Sequence, residues 1–443
     1  MAAPKGSPAD ARQLERRRTL AERPAPTPER DTTGHFPAAA RRRPAPVPRQ
    51  IIPKVAGASG LFFACLKWVN APSTAVGTMK RGFSIYCDLL RFGAASVVFL
   101  AHLSWQRLSG GMLYPLLPYG HPAVIVFFVL SGFVIGYVSH EKETTLKNYA
   151  AARLARLYSV VLPAIVLTFV LDRVGIMIHP QIYVLGQEAQ PALRMLLGAT
   201  FLSQSWFGDW ALLSNGAYWS LPYEFWYYAI FGAAVYLPGR RGRIAACLCA
   251  LIAGPDILLL FPLWLFGVAA YRLSKGDALR RHALPAFVAT AAAGAGVFLM
   301  RGTFVHLPIP SRYLPDGFRV EDFALGLAVA ANLLAASRLD FSFGRTGAWI
   351  TRAAGMTFSL YLFHLPLLYF VAAIEPVAWS PYLRGTLMLL GVPPVIWWLS
   401  QMTEMRKGAL RSRIAALLDR LPAMTPGLPL ETRPGLGESA DGG

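Results

Sequence analysis

The segment Tyr86-Cys87-Asp88-Leu89-Leu90-Arg91 leads into a mainly apolar run that ends at His102. Three ionisable side chains in one membrane-spanning helix are costly, so each needs a partner or a task. Asp88 and Arg91 are i,i+3 neighbours and can pair. Arg91 and His102 are eleven positions apart, which on an α-helix means ~20° of rotation and ~16 Å of rise. All three can therefore face one cavity. Together they suit a functional site inside the membrane. The structural alternative is an interfacial ion pair plus a buried hydrogen-bonding histidine.

Glu224 lies among aromatics in Tyr218-Trp219-Ser220-Leu221-Pro222-Tyr223-Glu224-Phe225-Trp226-Tyr227-Tyr228. An interfacial aromatic belt accounts for the rings but not for the carboxyl. Glu224 suits acid/base work or charge balance for a histidine. Arg153 and Arg156 share a helix face at the mouth of an apolar stretch. They can hold phosphates bidentately, or act as ordinary cytoplasmic anchors. His364 falls inside Ser359-Leu360-Tyr361-Leu362-Phe363-His364, near mid-membrane, as a second catalytic or substrate-contacting group or as a structural histidine. Ser131, Gly132 and Gly136 form a small-residue strip suited to close helix approach. Ser131 has no base near it in sequence and is not read as a nucleophile. His35, His140, His179, His282 and His306 fall in tails or loops and receive no role.

Ten apolar stretches would position these residues: 83–106, 121–139, 157–175, 218–237, 243–255, 257–273, 283–300, 321–337, 355–374 and 383–401, each near the ~20 residues of a spanning helix. The fifth is short and should pair tightly with the sixth around Gly254-Pro255-Asp256. Lys and Arg cluster in alternate loops, which predicts a bundle with both termini cytoplasmic. The segment 176–217 should lie along the outer interface. Residues 1–81 read as a basic tail, disordered over the Pro/Ala/Arg-rich first fifty, with Met79 a candidate translation start. Residues 82–404 form the membrane domain and 405–443 a cytoplasmic C-terminal tail.

Composition agrees with this reading. The 443 residues are 54% hydrophobic and only 15% charged, against about a quarter charged in soluble domains. The net charge of +19 resides in tails and loops, which points to anionic lipid rather than nucleic acid. Cys65, Cys87, Cys247 and Cys249 have neither metal-site spacing nor a disulfide pattern, and no metal is expected.

Taken in order, these motifs resemble the acyltransferase-3 family of bacterial integral membrane O-acyltransferases. Asp88-x-x-Arg91 with His102 resembles its Arg, ten residues, His signature. Phe127-Phe128-Val129-Leu130-Ser131-Gly132-Phe133 resembles its Phe-Phe-x-Leu-Ser-Gly-Phe element. Arg153-x-x-Arg156 resembles its basic pair, Trp219-Ser220-Leu221-x-x-Glu224 its Trp-Ser-Leu-x-x-Glu element, and Ser359 to His364 its Ser-x-Tyr-Leu-x-His element. One departure is Phe92, where the family usually has Gly directly after the Arg. The resemblance implies transfer of an acyl group, most often acetyl, from cytoplasmic acyl-CoA to a hydroxyl of a glycan or glycolipid at the outer face of the bacterial cytoplasmic membrane. It implies His102, as base or transient acyl carrier, with Glu224 to orient or charge-balance it and Arg91, held by Asp88, to stabilise negative charge; Arg153 and Arg156 for CoA phosphates; and His364, Ser131, Trp219 and Tyr361 for substrate. A transporter or flippase is the main alternative use for such intramembrane charges. A non-catalytic membrane sensor is a third.

Overall fold

A computed structural model describes residues 79–183, 189–206, 210–276, 279–300, 320–375 and 379–420. Among them every regular element is helical. The helices are α1 (Arg81–Leu103), α2 (Gln106–Ser109), α3 (Gly120–Glu141), α4 (Leu146–Ile178), α5 (Pro191–Ala199), α6 (Ser220–Tyr236), α7 (Gly239–Ala253), α8 (Pro255–Leu273), α9 (Ala283–Leu299), α10 (Val320–Ala336), α11 (Thr346–Ala354), α12 (Thr357–Ile374), α13 (Pro381–Met402) and α14 (Lys407–Asp419). Residues 1–78 and 421–443, which hold most of both expected tails, lie outside the described residues.

Each of the ten apolar stretches is a helix. Seven helical segments, containing α1, α3, α4, α8, α9, α12 and α13, are long and apolar enough to cross a membrane. The other three, α6, α7 and α10, have 17, 15 and 17 residues. At 15 residues α7 rises ~22 Å, short of a ~30 Å hydrocarbon core. The chain is an all-helical integral membrane protein.

Local chemistry sets the helix ends. The Thr145 side chain accepts from Asn148 N–H at 3.2 Å to cap α4, and Ser380 caps α13 through Leu383 N–H. Proline opens α8 and α13 at their first positions. Gly254, at φ +87°, makes the tight turn between α7 and α8, as its sequence context predicts.

The closest helix pair is α3 with α8. A Cβ on Gly132 would come within 1.9 Å of the Trp264 carbonyl oxygen, and one on Gly267 within 1.9 Å of Val129 O. The small-residue strip is therefore a backbone-to-backbone contact at Gly132. α12 is the most enclosed span and packs on α1, α4 and α13, whereas α9 is peripheral.

Two parts of the chain are more tightly held than the sequence suggests. The crossing after α4 is tied inward: Asp172 accepts from Ser214 N–H (2.9 Å) and Oγ–H (2.6 Å), and Asn215 donates to Leu362 O (2.9 Å). The expected C-terminal tail begins with α14, which packs along α4 and pairs Asp419 with Lys147.

Candidate functional site

A cavity lies between α1, α3, α4, α6 and α12 and spans about 720 Å³ free of protein atoms, part of it open to the outside. Arg91, Ser131, Arg153, Arg156, Ser220, Glu224, Tyr228 and Tyr361 all line it. Helix α4 begins at Leu146, eleven residues before the stretch that apolarity marks. Arg153 and Arg156 are thereby inside a helix and turned into the cavity, not merely at its mouth.

Each arginine is held differently. Arg91 pairs with Asp88 at 3.1 Å, the expected i,i+3 contact. Arg153 pairs with the buried Glu143 at 2.7 Å, and its guanidinium lies 5.8 Å from the Tyr149 ring centre and 5.7 Å from that of Tyr228. Arg156 lies 5.7 Å from the centre of the Phe358 ring. The Nε atoms of Arg153 and Arg156 are buried and unbonded among the described residues. Buried donors without partners cost stability unless something completes them.

Glu224 faces α3. Ser131 Oγ–H donates to its Oε1 at 3.1 Å and Tyr228 O–H donates to the same oxygen, while Trp264 Nε1–H donates to Ser131 Oγ at 3.3 Å. Ser131 thus has a carboxylate neighbour, contributed from 93 positions away, which no local reading could supply.

His102 does not line the cavity. Its Nδ1 lies 2.9 Å from His364 Nε2, and His364 Nδ1 lies 2.9 Å from Leu360 O. The expectation that His102 shares one cavity with Arg91 and Glu224 gives way to a two-part arrangement. The ~16 Å of rise along α1 separates His102 from Arg91 and from the cavity that Arg91 lines. Glu224 is bonded to Ser131 and Tyr228 instead of a histidine. Tyr361 links the two parts: it lines the cavity, its hydroxyl is 2.7 Å from Ser220 Oγ, and its ring centre is 6.4 Å from that of His364.

The pairing fixes the tautomers when both rings are neutral. A backbone carbonyl only accepts, so His364 Nδ1 carries hydrogen and its Nε2 accepts. His102 Nδ1 must then be the donor, which leaves His102 Nε2 as the basic nitrogen. Trp105 packs edge-on against His102, 4.8 Å between ring centres.

Two further groups escaped the sequence reading. His121 Nε2 is 2.7 Å from the buried Asp322, and the His121 ring stacks on Trp219 at 5.9 Å and 11°. The acidic pair Glu321-Asp322 inside an apolar stretch was the available signal. The second group is Glu404 and Lys407, near the arginines. Among the described residues no group of three or more His, Cys, Asp or Glu could hold a metal ion.

Comparison with known proteins gives this arrangement a class. The acyltransferase-3 family, described as an acyltransferase domain, matches residues 84–401. An O-acetyl transferase of Shigella phage Sf6 is 27% identical over 196 residues, 40% of this chain and 57% of the phage protein. Acyltransferase MdmB of Streptomyces mycarofaciens is 30% identical over 152 residues, 32% of this chain and 36% of MdmB. The chain thus spans about half or less of the curated relatives it matches. No solved structure matches. The chain belongs to the acyltransferase-3 family.

Proposed function

We propose that the protein transfers an acyl group, acetyl first of all, from cytoplasmic acyl-CoA to a hydroxyl of a glycan or glycolipid at the outer face of the bacterial cytoplasmic membrane. The observation that carries this is a cavity with arginines at one end and a histidine pair beyond the other. The loop charges orient the arginine end, and both termini, toward the cytoplasm.

Arg153 and Arg156 hold the CoA phosphates, and Arg91, oriented by Asp88, joins them. Arg91 is ~16 Å of helix rise from His102, too far to meet an oxyanion formed at the histidine. The extended pantetheine arm of the donor would cross that distance, past Ser131, Glu224 and Tyr228. His102 Nε2 takes the proton of the acceptor hydroxyl as its oxygen attacks the thioester carbonyl. The new C–O bond forms, the C–S bond breaks, and the proton passes from His102 to the departing sulfur, giving free CoA. His364 holds His102 in the required tautomer. The Tyr361 and Ser220 hydroxyls, 2.7 Å apart on the cavity wall, would offer a neutral donor for the developing oxyanion. Trp219, stacked on His121, offers an aromatic surface to the acceptor.

Purified protein in lipid, given acetyl-labelled CoA and a surface-glycan or glycolipid extract, should transfer label with release of free thiol. Uptake or flipping of the acceptor without ester formation would overturn the reading in favour of transport.

A further inference from the structure

The family match ends at residue 401, yet the chain beyond it turns back onto the cavity. Glu404, 5% exposed, accepts from Ser359 N–H and from Ser359 Oγ–H, each at 2.9 Å. That clamp fixes the turn before α14 to the start of α12, directly beside the cavity-lining Thr357 and Phe358. From there α14 runs along α4, the helix that carries Arg153 and Arg156.

Lys407 is the first residue of α14. It lies within electrostatic reach of Arg156, Glu404, Arg91 and Arg153. Its side chain is exposed. Among the described residues its ammonium makes no hydrogen bond or ion pair. Arg91 and Arg153 each hold a carboxylate in a direct ion pair; Lys407 has the Glu404 carboxylate within electrostatic reach but makes no direct ion pair with it among the described residues. Like charges brought together repel, so a fold that brings a fourth cation, with no direct ion pair of its own, toward three guanidinium groups is arranged for an anion with several charges.

We infer that α14 is part of the donor site, with Lys407 binding the ribose 3′-phosphate of acyl-CoA at the rim of the Arg91–Arg153–Arg156 cluster. This rests on the acyl-CoA reading above. The buried arginines take the pyrophosphate, nearer the pantetheine arm. Lys407, the exposed cation of the group, meets the phosphate farthest from the thioester.

The test compares full-length wild type with Lys407→Ala and Lys407→Arg, using acetyl-CoA and 3′-dephospho-acetyl-CoA. Loss of one charged hydrogen bond should raise the KM for acetyl-CoA about tenfold in Lys407→Ala with kcat little changed. Lys407→Arg should restore it. With the dephospho donor the KM of Lys407→Ala should equal that of wild type. A wild type that uses acetyl-CoA while Lys407→Ala keeps a normal KM overturns this assignment alone. A KM rise of equal size for both donors also overturns it, since the 3′-phosphate is then not the contact. A wild type that acylates its acceptor only from a donor without CoA overturns the acyl-CoA reading, and this inference with it.

Discussion

The arginine end and the histidine end of this bundle solve opposite problems. At the arginine end, Arg91, Arg153, Arg156 and Glu224 line one cavity, Asp88 and Glu143 pair with two of the arginines, and two buried Nε atoms have no partner among the described residues. At the histidine end, among the described residues, His102 and His364 bond to each other and to backbone, with aromatic rings packed against them. The first is built from charges that never titrate and suits a permanent polyanion. The second is built from groups that can be neutral and suits a proton in transit. Binding and chemistry are separated along the bundle, and variants at the two ends should fail differently.

The largest effect is expected at the histidine end. His102→Ala should lower kcat about a hundredfold or more, with the protein still folded and inserted. His102→Gln can replace the hydrogen bond but not the proton transfer, so it should stay inactive. An active glutamine variant, measured by label transfer, would erase the distinction between the ends.

Next comes the arginine end. Arg153→Ala with Arg156→Ala should raise the KM for acyl-CoA by tens of fold, on the order of one to two charge-assisted hydrogen bonds, and lower kcat much less. Steady-state kinetics over donor concentration separates the two parameters. A normal KM with a collapsed kcat would place the arginines at the reacting carbonyl instead.

A smaller effect sharpens the histidine end. His364→Leu removes the side-chain acceptor of the His102 Nδ1–H, which should lower kcat about tenfold. His364→Gln, whose side-chain oxygen can accept, should recover part of that. Nitrogen NMR of labelled histidine should find hydrogen on His102 Nδ1 in the wild type; hydrogen on Nε2 would reverse the tautomer assignment.

The smallest effect is expected from deleting residues 1–78, which belong to neither end. Chains beginning at Met79 should insert and retain both kcat and KM in the same assay. Lost insertion would show that the membrane domain begins earlier.

Much of this was legible in the sequence because it is local. The Asp88–Arg91 pair follows from i,i+3 spacing and forms as expected. Gly254-Pro255 breaks the chain where its chemistry says it must. Gly132 read as a packing residue and is one. The site was only partly legible. Ser131 gave no sign of a base because Glu224 arrives from another helix. His121 went unnoticed because Asp322 is 201 positions away. Lys407 lay in what read as a tail, since a 13-residue helix too short to span a membrane shows its role only once it is docked on α4.

By itself the sequence determined that the chain is a helical membrane protein, which side chains are too polar to face lipid, and the motif order that marks the family. Those properties depend on hydropathy and on spacing within one helix, where the 3.6-residue repeat fixes neighbours. Tertiary structure alone decided which polar groups meet. It paired His102 with His364 rather than with Glu224, turned Arg153 and Arg156 into the cavity beside Arg91, and brought Lys407 to its rim. Those choices depend on how helices far apart in sequence pack, and a buried polar group takes whichever partner that packing delivers.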